Sequence, residues 1–535
     1  MKILFVLVAC ILMSCSAAKV EKVTFTNPVI FADVPDVDVI RVDNDYYMIS
    51  TTMHLMPGAP VMRSKDLVNW EIISYLFDEN KDSPLYDLEG GTVYGHGQWA
   101  SSLRYHNGRF YAFFATNRPS KSYIYSTDNP AGMWKKIGEL NAGHHDASLL
   151  FDDNGKVYLA HGGGKIRIRE LKDDLSDVQP EGLNVEVIDG DKMGYPGLLE
   201  GTHLMKLNGK YYMFLIWWPQ GGIRTELCFR SDKIEGPYES KVILSDTIDL
   251  AGAGVAQGCI VDTKDGDWYG FLFQDHGAVG RTPVIMPCRW EDGWPVLGDN
   301  EGKVAKVMKK PVSGYPEKSL VISDDFKETK LPYNWQWNHN PDNHLWSLTE
   351  RPGYMRLKTG KVVNNVFEAR NTLSQRTEGP VCSGTISMDV SAMKDGDIAG
   401  FSAFNGHAGL LSVLKEDGKK YLAMSISVIY LGEHERVILG IDKDEKERVE
   451  LKQDIVYLRI DCDFSPKKDI ATFYYSLDNK NWIKIGTDFQ MIYDYRKHFM
   501  GSRFAIYNYA TQVPGGYVDI DYFKYQRDSL PVSGQ

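Results

Sequence analysis

The 535-residue chain is poor in cysteine, holding 7, and none of them falls in a CxxC pair, which argues against a zinc module or a disulfide framework. Cys10 lies in an N-terminal apolar stretch and Cys15 just after it. Cys228, Cys259, Cys288, Cys382 and Cys462 remain, an odd number that reads as buried small apolar residues. Positive charge is short as well: 60 Lys and Arg against 71 Asp and Glu give a net charge of -11, which argues against nucleic acid as a partner. Beyond the N-terminal stretch, no apolar run reaches the length needed to cross a bilayer.

That stretch, Ile3 to Met13 after Met1-Lys2, is too short to span a membrane but suits the apolar core of a secretory signal. Leu12-Met13-Ser14-Cys15 resembles a bacterial lipobox, with Cys15 as the lipidated N-terminus and Met13 where a small residue is usual. Ordinary cleavage after Ala18 is the competing reading. Residues 1–18 are therefore read as a signal, and the protein is expected to be exported to the periplasm or, as a lipoprotein, to the outer membrane or cell surface. A lipid on Cys15 would be its sole membrane contact.

Aromatic residues are plentiful, with 12 Trp, 30 Tyr and 22 Phe, and suit sugar-facing surfaces and all-β cores alike. Several sit in a repeated pattern. Leu198 to Trp218 reads as two β-rich runs around Asn208-Gly209, the residue pair best fitted to a tight turn with positive φ. Similar hairpins begin at Asp36, Trp99, Asp146 and Gln257, each with a tyrosine at a matching place in its second strand. Those tyrosines, Tyr47, Tyr111, Tyr158, Tyr212 and Tyr269, are separated by 64, 47, 54 and 57 residues. A period of about 55 with paired outer strands predicts a five-bladed β-propeller over residues 22–312. A large β-sandwich with coincidental hairpins explains the strands but not the shared tyrosine register.

The register places Asp36, Trp99, Asp146, Glu200 and Gln257 at equivalent points at the start of one strand per blade. With that strand innermost, three carboxylates and an aromatic ring one mouth of the channel. Converging acids repel one another and lose hydration, which separates their pKa values, as general acid and base work requires. Asp33 and Asp38 flank Asp36 and would replace it if the register slipped.

Pro311 to Pro316 forms a turn-rich linker, and residues 317–535 continue as short alternating segments without a convincing long amphipathic helix. They predict a second all-β domain, a jelly-roll or concanavalin-like β-sandwich. In it, Asp324-Asp325 and Asp519/Asp521 could meet on adjacent strands, and Asp325 with Asp521 is the candidate pair for a structural Ca²⁺. Exposed strand-end acids are the alternative. Trp335, Trp337 and Trp346 are candidates for glycan contact or for a loop that closes the site.

The segments NPVIFADVPDVDVIRVDNDYYMIST, HGQWASSLRYHNGRFYAFFAT, HHDASLLFDDNGKVYLAHG, EGTHLMKLNGKYYMF and QDHGAVGR together resemble the signatures of glycoside hydrolase family 43. The resemblance extends to the second domain and implies an exo-acting, inverting enzyme. Such an enzyme would release non-reducing-end β-D-xylose or α-L-arabinofuranose from plant hemicelluloses such as xylan and arabinoxylan. It implies Asp36 as general base, Glu200 as general acid, and Asp146 as the carboxylate that orients substrate and raises the acid's pKa. Val37 and Ala147 stand where the pattern usually has proline. Trp99, His276, Arg281, His54 and Gln257 are the expected substrate-side residues; His276 faces either the substrate or a central cation. Met53, Trp217 and Trp218 line the pocket or pack between blades. No cofactor is required for this chemistry. The alternative is an inactive glycan-binding lipoprotein on the same scaffold.

Overall fold

The computed structural model describes residues 23–249, 253–433 and 436–528. The signal expected over residues 1–18, with Cys15, lies outside them. Five antiparallel sheets of four strands each occupy residues 38–77, 98–140, 148–189, 198–244 and 256–297. In every sheet the first strand lies at one edge: Asp38–Val42, Gln98–His106, Ser148–Phe151, Leu198–Leu207 and Ala256–Asp262. These five strands neighbour one another around a closed ring, the fifth returning to the first. The ring is a five-bladed propeller, as the tyrosine register predicts. Thr24–Thr26 pairs antiparallel with Val307–Lys309 and ties the start of the domain to its end.

The turn chemistry behaves as read. Asn208 and Gly209 have φ of 51° and 77°, and Asn107-Gly108 repeats them at 48° and 82°, the left-handed pair that a two-residue hairpin needs. Arg104 of blade 2 stitches the ring together. It donates to the carbonyls of Leu149 and Leu204 in blades 3 and 4, to Ser148 Oγ, and to Asp38 of blade 1.

The second domain is a sandwich of two sheets around a core that includes Phe401, Leu458, Phe504 and Phe523. One sheet gains a strand from outside the domain. Leu55–Met56, between the second and third strands of blade 1, pairs with Trp337 and Asn338 and forms the sheet's edge. The sandwich is therefore not built from residues 317–535 alone. Further bonds cross the same seam. Gln336 Nε2 donates to the Pro57 carbonyl at 2.8 Å, and Arg436 Nε donates to the Tyr94 carbonyl at 2.7 Å.

The five described cysteines are free and buried, as expected, with Cys382 and Cys462 opposite each other on paired strands. The candidate Ca²⁺ pair is not an oxygen cage. Asp325 is bonded to Lys327 Nζ at 2.5 Å, and Asp521 has that same lysine within electrostatic reach. Asp324 accepts from Trp335 Nε1, and Asp519 binds the guanidinium groups of Arg351 and Arg356. In this structure Asp324, Asp325 and Asp519 are thus paired with Trp, Lys and Arg donors. Trp335 and Trp337 are buried in the sandwich core and Trp346 packs on Trp337 at 5.2 Å, so the three stand as core and not as a glycan surface.

Candidate active site

The five ring residues do meet at one mouth, and the backbone explains how their side chains turn inward. Asp36, Asp146 and Gln257 have φ of 53°, 44° and 67°. Register shifts follow Gln98, Glu200 and Ala256 in the inner strands of blades 2, 4 and 5. A bulge bends its strand and re-aims a side chain, and barrel-like rims next to active sites favour it. Below the mouth, the channel narrows to a space of ≈ 20 Å³ whose lining includes Asp36, Asp38, Ser101, Asp146, His203 and Gln257.

Asp36 is buried and accepts from three side chains. Arg281 Nη1 donates to both its oxygens at 3.0 and 3.1 Å, Thr51 Oγ1 donates to Oδ2 at 2.6 Å, and Gln257 Nε2 donates to Oδ1 at 3.1 Å. The two flanking acids serve elsewhere. Asp33 accepts the N–H of Arg281 at 2.8 Å and that of Gly501, in the sandwich, at 2.7 Å. Asp38 would be raised by burial, but Arg104 and His203 outweigh that and hold it well below the usual carboxylate range. Asp36 is the member of the three aimed at the mouth.

Glu200 is half-buried, and His145 Nε2 lies 2.8 Å from its Oε2. The same histidine nitrogen is 3.7 Å from Asp146 Oδ2. The charge of Asp146 raises the His145 pKa despite burial, with Glu200 adding to the effect. Burial raises the pKa of Asp146, opposed by His145, while its Oδ2 accepts the Gly201 N–H at 2.9 Å. Gly201, at φ 72°, leaves room that a Cβ would fill at 2.7 Å from Gln257 Cγ. The Gln257 side chain therefore passes beside the residue that follows Glu200 on its way to Asp36. His145 sits in the segment that supplies Asp146 but was not assigned a role from the sequence. Its relation to Glu200 depends on two blades meeting.

The rim is aromatic. Trp99 is half-buried, bonded through Nε1 to the Gly95 carbonyl, and stands edge-on to His145 at 5.6 Å and Phe499 at 6.0 Å. Phe499 comes from the sandwich, places its ring 4.4 Å from the Arg281 guanidinium, and accepts from Arg281 Nη2 through its carbonyl at 3.2 Å. On the side of Glu200, Leu198 and Trp218 are cross-strand partners and both are exposed, Trp218 by 41%. Arg224 covers one face of the Trp218 ring at 4.7 Å and is held by Asp275 at 2.7 Å. Trp217 instead bonds the Pro196 carbonyl and packs edge-on against Tyr195, and Met53 is buried beside Trp99.

Two expected substrate-side residues stand differently. His54 is 1% exposed and packs at the domain seam against Tyr94, His339 and His498, at 4.6, 5.3 and 5.1 Å. His276 is buried, edge-on to Phe31 at 4.5 Å. His54 is a packing residue in this structure.

Against known proteins, residues 25–295 match the model of glycosyl hydrolases family 43, and residues 323–526 match that of the β-xylosidase C-terminal concanavalin A-like domain. A β-xylosidase of Formosa agariphila is 30% identical over 96% of this chain and 92% of its own length. A non-reducing-end α-L-arabinofuranosidase of Bacteroides ovatus is 32% identical over 64% of this chain and 66% of its own. Among solved structures, a bifunctional GH43-CE protein of Bacteroides eggerthii superposes with a TM-score of 0.87 at 47% identity. That match covers 95% of this chain, which spans 64% of the solved one.

Proposed function

This chain belongs to glycosyl hydrolases family 43 and is a glycoside hydrolase, and on that premise we propose that it acts from the non-reducing end. In this reading it releases single pentose units, β-D-xylose or α-L-arabinofuranose, from plant hemicelluloses with inversion at the anomeric carbon. The observation that carries the reading is the pairing of two differently held carboxylates at one mouth. Asp36 is held by Arg281, Thr51 and Gln257, while Glu200 is half-buried, with His145 as its side-chain partner and the buried Asp146 beside it. A water activated by Asp36 attacks the anomeric carbon, and Glu200 protonates the departing oxygen on the other face. Asp146 orients the substrate and, when ionised, places negative charge beside the acid.

Exo action is supported by the sandwich. Phe499 closes the rim above Arg281, on the side of the base, while the exposed Leu198 and Trp218 lie beyond the acid, where the leaving sugar must go. Aromatic faces suit the apolar faces of sugar rings. Residues 1–18 support export, with lipidation of Cys15 as the anchor. An inactive glycan binder is disfavoured, because the three carboxylates and their donors are intact. The test is turnover of nitrophenyl β-D-xyloside against nitrophenyl α-L-arabinofuranoside, with the anomer formed first followed by NMR. A first product with retained configuration overturns inversion. A ladder of oligosaccharides released early from xylan overturns exo action.

A further inference from the structure

Glu226 is a carboxylate that the mechanism above leaves without a role. It lies in Thr225–Ser231, the third strand of blade 4, and is 1% exposed. Ile216 pairs with it on one side and with Glu200 on the other, so Glu226 stands two strands out from the acid in the same cross-strand row. Its Oε2 accepts the backbone N–H of Gln257 at 2.7 Å. Gln257 is the extra residue of a bulge: Ala256 pairs with Phe273 and Gly258 with Leu272, which leaves Gln257 unmatched at φ 67°. The extra residue of a bulge loses its ladder bonds, and a left-handed backbone is unfavourable for a non-glycine residue, so something must hold it. The Glu226 carboxyl does so, and the side chain that this bulge turns inward reaches Asp36 Oδ1 at 3.1 Å.

We propose that Glu226 is a positioning residue for hydrolysis, fixing through the Gln257 N–H the bulge from which the Gln257 amide reaches the base. The proposal rests on Asp36 being that base. Burial pushes the Glu226 carboxyl up to about 8, with the Gln257 N–H pulling the other way. At neutral pH it is therefore largely a neutral acceptor, and its titratable neighbours are the thiols of Cys228 and Cys259. Asp36 faces Arg281, Thr51 and Gln257, with His145 and Asp146 within electrostatic reach.

The full-length protein carrying Glu226→Gln, Glu226→Leu or Glu226→Met is compared with the native one by melting temperature and by the pH profile of kcat/KM on the aryl glycoside it turns over. Glutamine keeps an acceptor oxygen at the same place, so that variant should stay within about twofold of native with its acid limb unmoved. Leucine removes the acceptor. That variant should fall about tenfold or more, and its acid limb should move to higher pH because Asp36 loses a donor that favours its charge. Methionine gives the same reading if leucine does not fold. A folded apolar variant with native rate and limb overturns the proposal. So does a glutamine variant whose limb moves as far as leucine's, since the charge and not the acceptor would then be what counts. Asp36→Asn is the control for the underlying reading: full activity there would remove Asp36 as base, which an unmoved Glu226 profile would not.

Discussion

Arg281 presents one guanidinium nitrogen to both oxygens of Asp36, at 3.0 and 3.1 Å, and a second to the Phe499 carbonyl of the sandwich at 3.2 Å. The ion pair is buried at both ends, and its positive partner is anchored by the other domain. A lysine has no planar fork and cannot serve both partners. Arg281→Lys should therefore lower kcat/KM by about tenfold or more and move the acid limb of the profile to higher pH. Native values in both would mean that the pair has no bearing on the base.

Glu200→Gln should lose much more activity on xylo-oligosaccharides than on a nitrophenyl glycoside. A sugar leaving group needs its proton, whereas nitrophenolate leaves readily without one, and acid catalysis contributes about 10²–10⁴. Parallel losses on the two substrates, measured as kcat/KM, would count against the acid role.

His145 and Asp146 should move the alkaline limb in opposite directions. Asp146→Asn removes a negative charge beside Glu200, so the acid gives up its proton sooner and the limb falls. It also lowers the His145 pKa, whose largest support is the Asp146 charge. His145→Gln removes a positive charge 2.8 Å from Glu200 Oε2, so the limb should rise. Shifts of the same sign would show that one residue acts by shape alone.

Acid should weaken the seam between the domains. His54, His339 and His498 are fully buried beside one another, and burial holds all three below the usual histidine value, His339 at about 3. Below about pH 6.5 the unfolded chain takes up protons that the folded one refuses. Their contribution is complete above that pH and is lost as pH falls, at up to about 4 kcal/mol per pH unit for three independent groups. Urea denaturation at pH 7 and pH 5 should show a steep drop, and His498→Phe should flatten it. An equal slope in that variant would separate acid sensitivity from the cluster.

Where the sequence reading succeeded, the signal was local and repeated. The Asn-Gly turns and the tyrosine at a constant offset state the blade register, and the register alone brings Asp36, Asp146 and Glu200 to one mouth. What stayed hidden lies between segments. Nothing in His145 or Glu226 as letters says that one meets Glu200 across two blades or that the other holds a bulge in blade 5. A two-residue strand such as Leu55–Met56 has no period to read. Phe499 enters the rim from a loop almost 220 residues after Arg281 in the chain. That Lys327 lies beside the acidic pair Asp325 and Asp521 leaves no trace in composition.

The strand Leu55–Met56 also limits how far the two halves behave as interchangeable modules. A chimera joined at residues 312–317 would give an incoming sandwich an edge strand selected against a different partner, and the reciprocal chimera would leave Gln336 and Trp337 facing a foreign loop. An unmatched sheet edge is a site for pairing with other chains. Domain shuffling in this scaffold therefore has to move the blade 1 loop together with the sandwich, so the unit of inheritance is discontinuous in sequence.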